Sequence, residues 1–211
     1  MTTTTTLTFV IGLCRWNTIG ASSLCPDLND LRSDVVRRSW DETRYNGSWY
    51  EIAYHDIAQT GASCQRFENI VNEKGETGFQ QKFQAKYGPI PFGQTYRYDP
   101  IEDVNGTVVK GRYTTYLEGA KVLLQLPAVM VDVRTNNQDD NDEGPYQQFT
   151  QFICKEEAGV LKVTELRIAA RTKTISDDLL NDLKENAKQL GVPGDLVDSL
   201  KKTDHSKCND S

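Results

Sequence analysis

Histidine is almost missing from this sequence: there are two in 211 residues, His55 and His205. No two of the five cysteines stand in a C-x-x-C spacing, so neither a zinc centre nor a dithiol redox motif has ligands at the required separations. Positive charge is also scarce, with 24 Lys and Arg against 30 Asp and Glu for a formal net charge of -6. The lack of a dense basic stripe to neutralise phosphates argues against nucleic-acid binding. No apolar run approaches the length of a membrane span, which argues against an integral membrane segment. There is no G-x-S-x-G elbow, no glycine-rich phosphate loop and no H-E-x-x-H, so no catalytic residue, cofactor or metal is assigned.

What is present has the make-up of one folded domain: 37% hydrophobic, 26% charged, and 9% aromatic residues spread along the length. Residues 1–24 stand apart. A threonine run, Thr2 to Thr6, leads into Leu7-Thr8-Phe9-Val10-Ile11-Gly12-Leu13-Cys14, and the small residues Ala21-Ser22-Ser23 follow. That pattern predicts a secretory signal cut near Ser23, leaving 25–211 as the domain; the alternative is a tail on a cytosolic protein. Past the signal, Cys25, Cys64, Cys154 and Cys208 are even in number and widely spaced. They read as two disulfides of an extracellular protein, in any of three connectivities. Asn46-Gly47-Ser48, Asn105-Gly106-Thr107 and Asn209-Asp210-Ser211 are glycosylation acceptors of the kind secreted proteins carry.

From residue 49 the hydrophobic period is two. Along Gly78–Tyr87 it sets Phe79, Phe83, Ala85 and Tyr87 against Gln80, Lys82, Gln84 and Lys86. After Cys64 it makes Phe67, Asn69 and Val71 an inward set, and along Val108–Tyr116 it opposes Val109, Gly111, Tyr113 and Thr115 to Lys110, Arg112 and Thr114. With Trp49–His55, Lys121–Leu126, Ala128–Arg134, Tyr146–Cys154 and Val160–Ala170, the count reaches eight, and Lys155–Gly159 reads as a hairpin turn. Eight consecutive antiparallel strands suit an all-β up-and-down barrel or a sandwich. A helix follows: Ser176 is an N-cap, Asp177 and Asp178 suit the first turn, and Gly191 with Pro193 ends it. Leu179, Leu180, Leu183, Ala187 and Leu190 form its apolar stripe, and Asp195–Lys202 is expected to add a second helical turn or two.

Gly47-Ser48-Trp49-Tyr50-Glu51, Cys25-Pro26 upstream, Ile168-Ala169-Ala170-Arg171-Thr172 before the helix, and a last cysteine near the C-terminus occur in one order. In these features residues 25–208 resemble the lipocalins, specifically the apolipoprotein D and bilin-binding branch. The resemblance implies a closed eight-stranded barrel with the helix packed outside. It also implies disulfides Cys25–Cys154 and Cys64–Cys208, and a structural pair in which Arg171 stacks over Trp49 to plug one end. Two stretches depart from the family pattern. Gly88–Gly106 reads as an over-long connection, and Thr135-Asn136-Asn137 with an acidic insert stands where the family has T-D-Y.

The resemblance implies a secreted carrier of a small hydrophobic ligand such as a pigment, retinoid, sterol or fatty acid. The alternation places Phe67, Val71, Phe79, Phe83, Tyr87, Val109 and Tyr113 on the cavity wall, with Asn69, Gln81 and Thr115 as polar contacts; the same side chains would equally fill a solid core. His55 falls near the open end and reads as a solvated loop residue. Asp139, Asp140, Asp142 and Glu143 lack the order of a calcium loop and read as a solvated insert. A lipocalin-type enzyme using Cys64 as its thiol, and an extracellular interaction protein using the barrel as scaffold, are the alternatives. Nothing in the residues fixes an oligomeric state.

Overall fold

The computed structural model describes residues 25–71, 78–122, 124–136, 144–157, 161–206 and 208. The expected signal, the acidic insert (Asp139, Asp140, Asp142, Glu143) and the Asn209 acceptor lie outside the described residues. A short helix α1 (Asp34–Ser39) and a 3-10 turn (Glu42–Tyr45) precede eight strands: β1 (Gly47–His55), β2 (Ala62–Val71), β3 (Phe79–Tyr87), β4 (Ile90–Glu102), β5 (Val108–Leu117), β6 (Leu126–Arg134), β7 (Gln148–Glu157) and β8 (Leu161–Ala170). Each pairs antiparallel with the next, β8 pairs with β1, and β1 pairs with β2, so the sheet closes on itself. Helices α2 (Asp177–Gln189) and α3 (Gly194–Asp198) follow, then a two-residue strand β9 (Lys201–Lys202) bonded to β1 at Ala53 and Tyr54.

Three expectations are corrected. The 88–106 segment is not an over-long connection, because thirteen of its residues form β4. Pro91 stands at the start of β4 and Pro100 beside the register shift between Pro100 and Glu102. At a strand start or a bulge a missing N–H costs little. Lys121–Leu126 is not a strand: only Leu126 belongs to one, and Val122 and Leu124 are exposed with no face to pack. The segment Asp195–Lys202 is helical only to Asp198 and ends as β9.

Both faces of β6, β7, β8 and part of β1 are covered. Val129, Val131, Phe152, Leu166, Ile168 and Ala170 pack outward against the α2 stripe Leu180, Leu183 and Ala187. Ala128, Met130, Phe149, Ile153 and Ala169 face the barrel interior. Ser176 caps α2 by accepting the Leu179 N–H, Asp177 and Asp178 occupy its first turn, and Gly191 follows it at φ +95°. The disulfides are Cys25–Cys154 and Cys64–Cys208, closing separations of 129 and 144 residues, in the pairing the resemblance implies. Among the described residues, no helix is long and apolar enough to cross a membrane.

Candidate functional site

One end of the barrel is sealed. The Arg171 guanidinium lies 3.8 Å from the centre of the Trp49 ring, and its N–H groups donate to the carbonyls of Tyr146 (3.0 Å), Ser48 (2.9 Å), Asn46 (2.7 Å) and Arg44 (3.3 Å). Trp49 donates from its indole to the Tyr45 carbonyl, and Tyr45 packs edge-on against Phe79 and Phe149. Trp40 stacks on Tyr146 and donates to the Tyr113 hydroxyl at 2.6 Å, which donates in turn to Glu42. Such a plug satisfies the polar atoms that the start of β1 would otherwise bury unpaired.

The expected ligand-contacting residues divide by depth. Phe79 and Tyr113 belong to the floor, Phe79 stacking on Tyr98 at 4.5 Å. Val71 and Val109 are half-buried near the same end. Asn69 and Gln81 are buried and bond to each other at 3.0 Å, both reaching Tyr45. Thr115 is buried opposite Tyr98 of β4. Phe67 lies beneath Arg167, whose guanidinium is 5.0 Å from the ring centre. Of the ten, Phe83 and Tyr87 line the pocket at the open end. His55 is outside, its Nδ1 at 2.6 Å from the Ser199 hydroxyl.

That mouth pocket has a volume of about 90 Å³, walled by Phe83, Tyr87, Phe92 and Tyr96 together with Asp56, Gln59 and Arg167. The Phe83 and Phe92 rings are 6.3 Å apart and the Tyr87 and Phe92 rings 5.7 Å, both edge-to-face. Below it lies a buried polar cluster. Arg167 donates to Glu165 at 2.7 Å and to Gln81 at 3.0 Å, and its Nε faces Glu51 at 3.7 Å. Burial pulls the Arg167 pKa down, but the oxygens of Tyr98, Glu165 and Glu51 outweigh it and hold the guanidinium charged. Burial pushes Glu51 up to about 8, more than the guanidinium lowers it, and raises Glu165 as well. By distance Glu165 is the nearer partner of the guanidinium and Glu51 the second acid of the cluster.

Glu51, Gln59, Phe92, Tyr96, Glu165 and Arg167 were not among the expected site residues. Glu51 stands two residues past Trp49 and so shares its face until the bulge that follows Glu51. In β8 the apolar residues Leu166, Ile168 and Ala170 point to α2, which leaves Glu165 and Arg167 inside.

No protein-family profile and no curated protein matches this sequence. Among solved structures, lobster apocrustacyanin A1 is similar at a TM-score of 0.57 and 17% identity over 84% of each chain. Insecticyanin from the tobacco hornworm Manduca sexta is similar at 0.56 and 12% identity, over 80% of this chain and 82% of that one. The siderocalin Ex-FABP, which functions through dual ligand specificities, is similar at 0.50 and 12% identity, over 76% and 93%. The closed eight-stranded barrel with its outer C-terminal helix is the lipocalin fold.

Proposed function

We propose that the chain is a secreted carrier that takes a small hydrophobic molecule into the open end of its barrel. The observation that supports this reading is the asymmetry of the barrel: a floor closed by Trp49 and Arg171, and opposite it a ring-walled pocket open to solvent. Apolar walls with a few polar groups are the general form of a ligand site. Burial of ligand surface drives binding at roughly 25 cal/mol per Å² before losses of freedom are subtracted. The two disulfides support an oxidising compartment, and Asn105, exposed in the β4–β5 loop, is the better-placed glycan acceptor. Asn46 already uses its side-chain oxygen to accept the Val71 N–H. Because Cys64 is held in a disulfide, the thiol route to enzymatic chemistry has no nucleophile.

The close packing of the floor and middle favours a second reading, in which the barrel is a scaffold for extracellular protein contacts. Native mass spectrometry of the disulfide-bonded protein with bilins, retinoids, sterols and fatty acids separates the two. Retention of any of them at micromolar concentration supports the carrier; silence across all four favours the scaffold.

A further inference from the structure

The mouth pocket and the polar cluster beneath it carry more acid than base: Asp56, Glu51 and Glu165 against Arg167. The guanidinium is already engaged on Gln81, on Glu165 and toward Glu51, so little of it is left for an incoming anion. Two orphaned acceptors stand at the pocket and just beneath it. Gln59 lines the pocket with 4% of its surface exposed and has no partner for its Oε1. Its Nε2 donates to Glu51 Oε1 at 3.5 Å, and Glu51, with no exposed surface, leaves Oε2 unpartnered. Buried oxygens without donors are costly, so the pocket gains most from a ligand that brings N–H groups and positive charge. Phe83, Tyr87, Phe92 and Tyr96 around the same space suit a flat ring, and an ammonium held among ring faces gains further.

We infer that the cargo of this pocket is a small aromatic amine, its ring among Phe83, Tyr87, Phe92 and Tyr96 and its ammonium on Gln59 Oε1, above the buried Glu51 carboxyl that Gln59 Nε2 reaches. The inference rests on the carrier reading and narrows it. A carboxylate ligand would meet Asp56 and an occupied guanidinium at the wall, with Glu51 and Glu165 beneath; a neutral alcohol would supply one donor and no positive charge. Binding also moves a proton. Glu51 is surrounded by Arg167 and Glu165 of β8, by Asp56, Tyr54 and Tyr87, and at its backbone carbonyl by the His205 ring. An ammonium placed beside its protonated carboxyl favours the ionised form, and the proton leaves to solvent.

Calorimetry of the disulfide-bonded protein at pH 7.5 with phenethylamine, phenethyl alcohol and 3-phenylpropionate tests this. The amine is expected to bind about tenfold or more tightly than either analogue, with heats that differ between buffers of different ionisation enthalpy. Glu51→Gln, nearly isosteric, is expected to weaken the amine about tenfold and abolish the buffer dependence. Gln59→Met, in the turn after β1, should weaken it while the buffer dependence stays. The acid or the alcohol binding as tightly as the amine overturns the inference and leaves the carrier reading standing. Amine binding that neither substitution changes overturns it too. Silence of all three probes overturns the inference alone if a bilin, retinoid, sterol or fatty acid is still retained, and both readings if nothing is.

Discussion

Glu51 sets a pH slope as well as a binding preference. Its folded pKa of about 8 stands above the ordinary 4.5, so the folded protein keeps a proton that the unfolded chain gives up. Stability from this group is complete below about 4.5 and is lost as pH rises toward 8, at no more than about 1.4 kcal/mol per pH unit. Glu165 and Asp132, also raised by burial, add slope of the same sign. Thermal melts of Glu51→Gln between pH 5 and 8.5 are expected to show a shallower fall than the parent, with the variant the more stable of the two at pH 8.5. Arg171 is the other residue with outsized leverage. Arg171→Ala removes donors from four carbonyls and the cover from Trp49, at an expected cost of about 2–4 kcal/mol in a urea titration. Arg171→Lys should recover only part, because one ammonium cannot span the same carbonyls.

Elements here are fixed to one another at a few tight points. Gly111 of β5 has φ +71°, and a Cβ there would stand 2.4 Å from Val36 Cγ1 of α1. Gly111→Ala therefore strains the strand and pushes α1 off the sealed end; an expected loss of about 1–3 kcal/mol is measurable by the same titration. The Cys64–Cys208 bridge ties the tail after α3 to the start of β2. On the chain-entropy account, closing so long a loop contributes on the order of 5 kcal/mol, with measured values scattering below. The Cys64→Ala/Cys208→Ala double variant should melt lower than the parent and lose protection from amide exchange first in β9.

For the whole molecule, the barrel was legible because the pleat repeats every second residue, and a half-buried sheet writes that period into Phe79, Phe83, Ala85 and Tyr87. The plug was legible through Gly47-Ser48-Trp49 and the distant Arg171. β4 was hidden by its own prolines, although its Tyr96 and Tyr98 share a face and face the interior. The mouth chemistry was harder to see for a different reason. Under α2 the apolar side of β8 is the outer one, so alternation alone cannot say that Glu165 and Arg167 point inward; the covering helix has to be placed first. Gln59 comes from a turn with no period at all.

The way the two flanks of the barrel are fastened has a practical corollary. Cys64 and Cys154 both lie in the half of the barrel nearer the entrance, and through them Cys25 and Cys208 are stapled to the same half. Anything joined just outside either staple, whether a fluorophore, an affinity handle or the support of a biosensor, would crowd the doorway rather than the base. Immobilising the protein through the β4–β5 loop around Asn105, at the far pole, leaves the threshold clear.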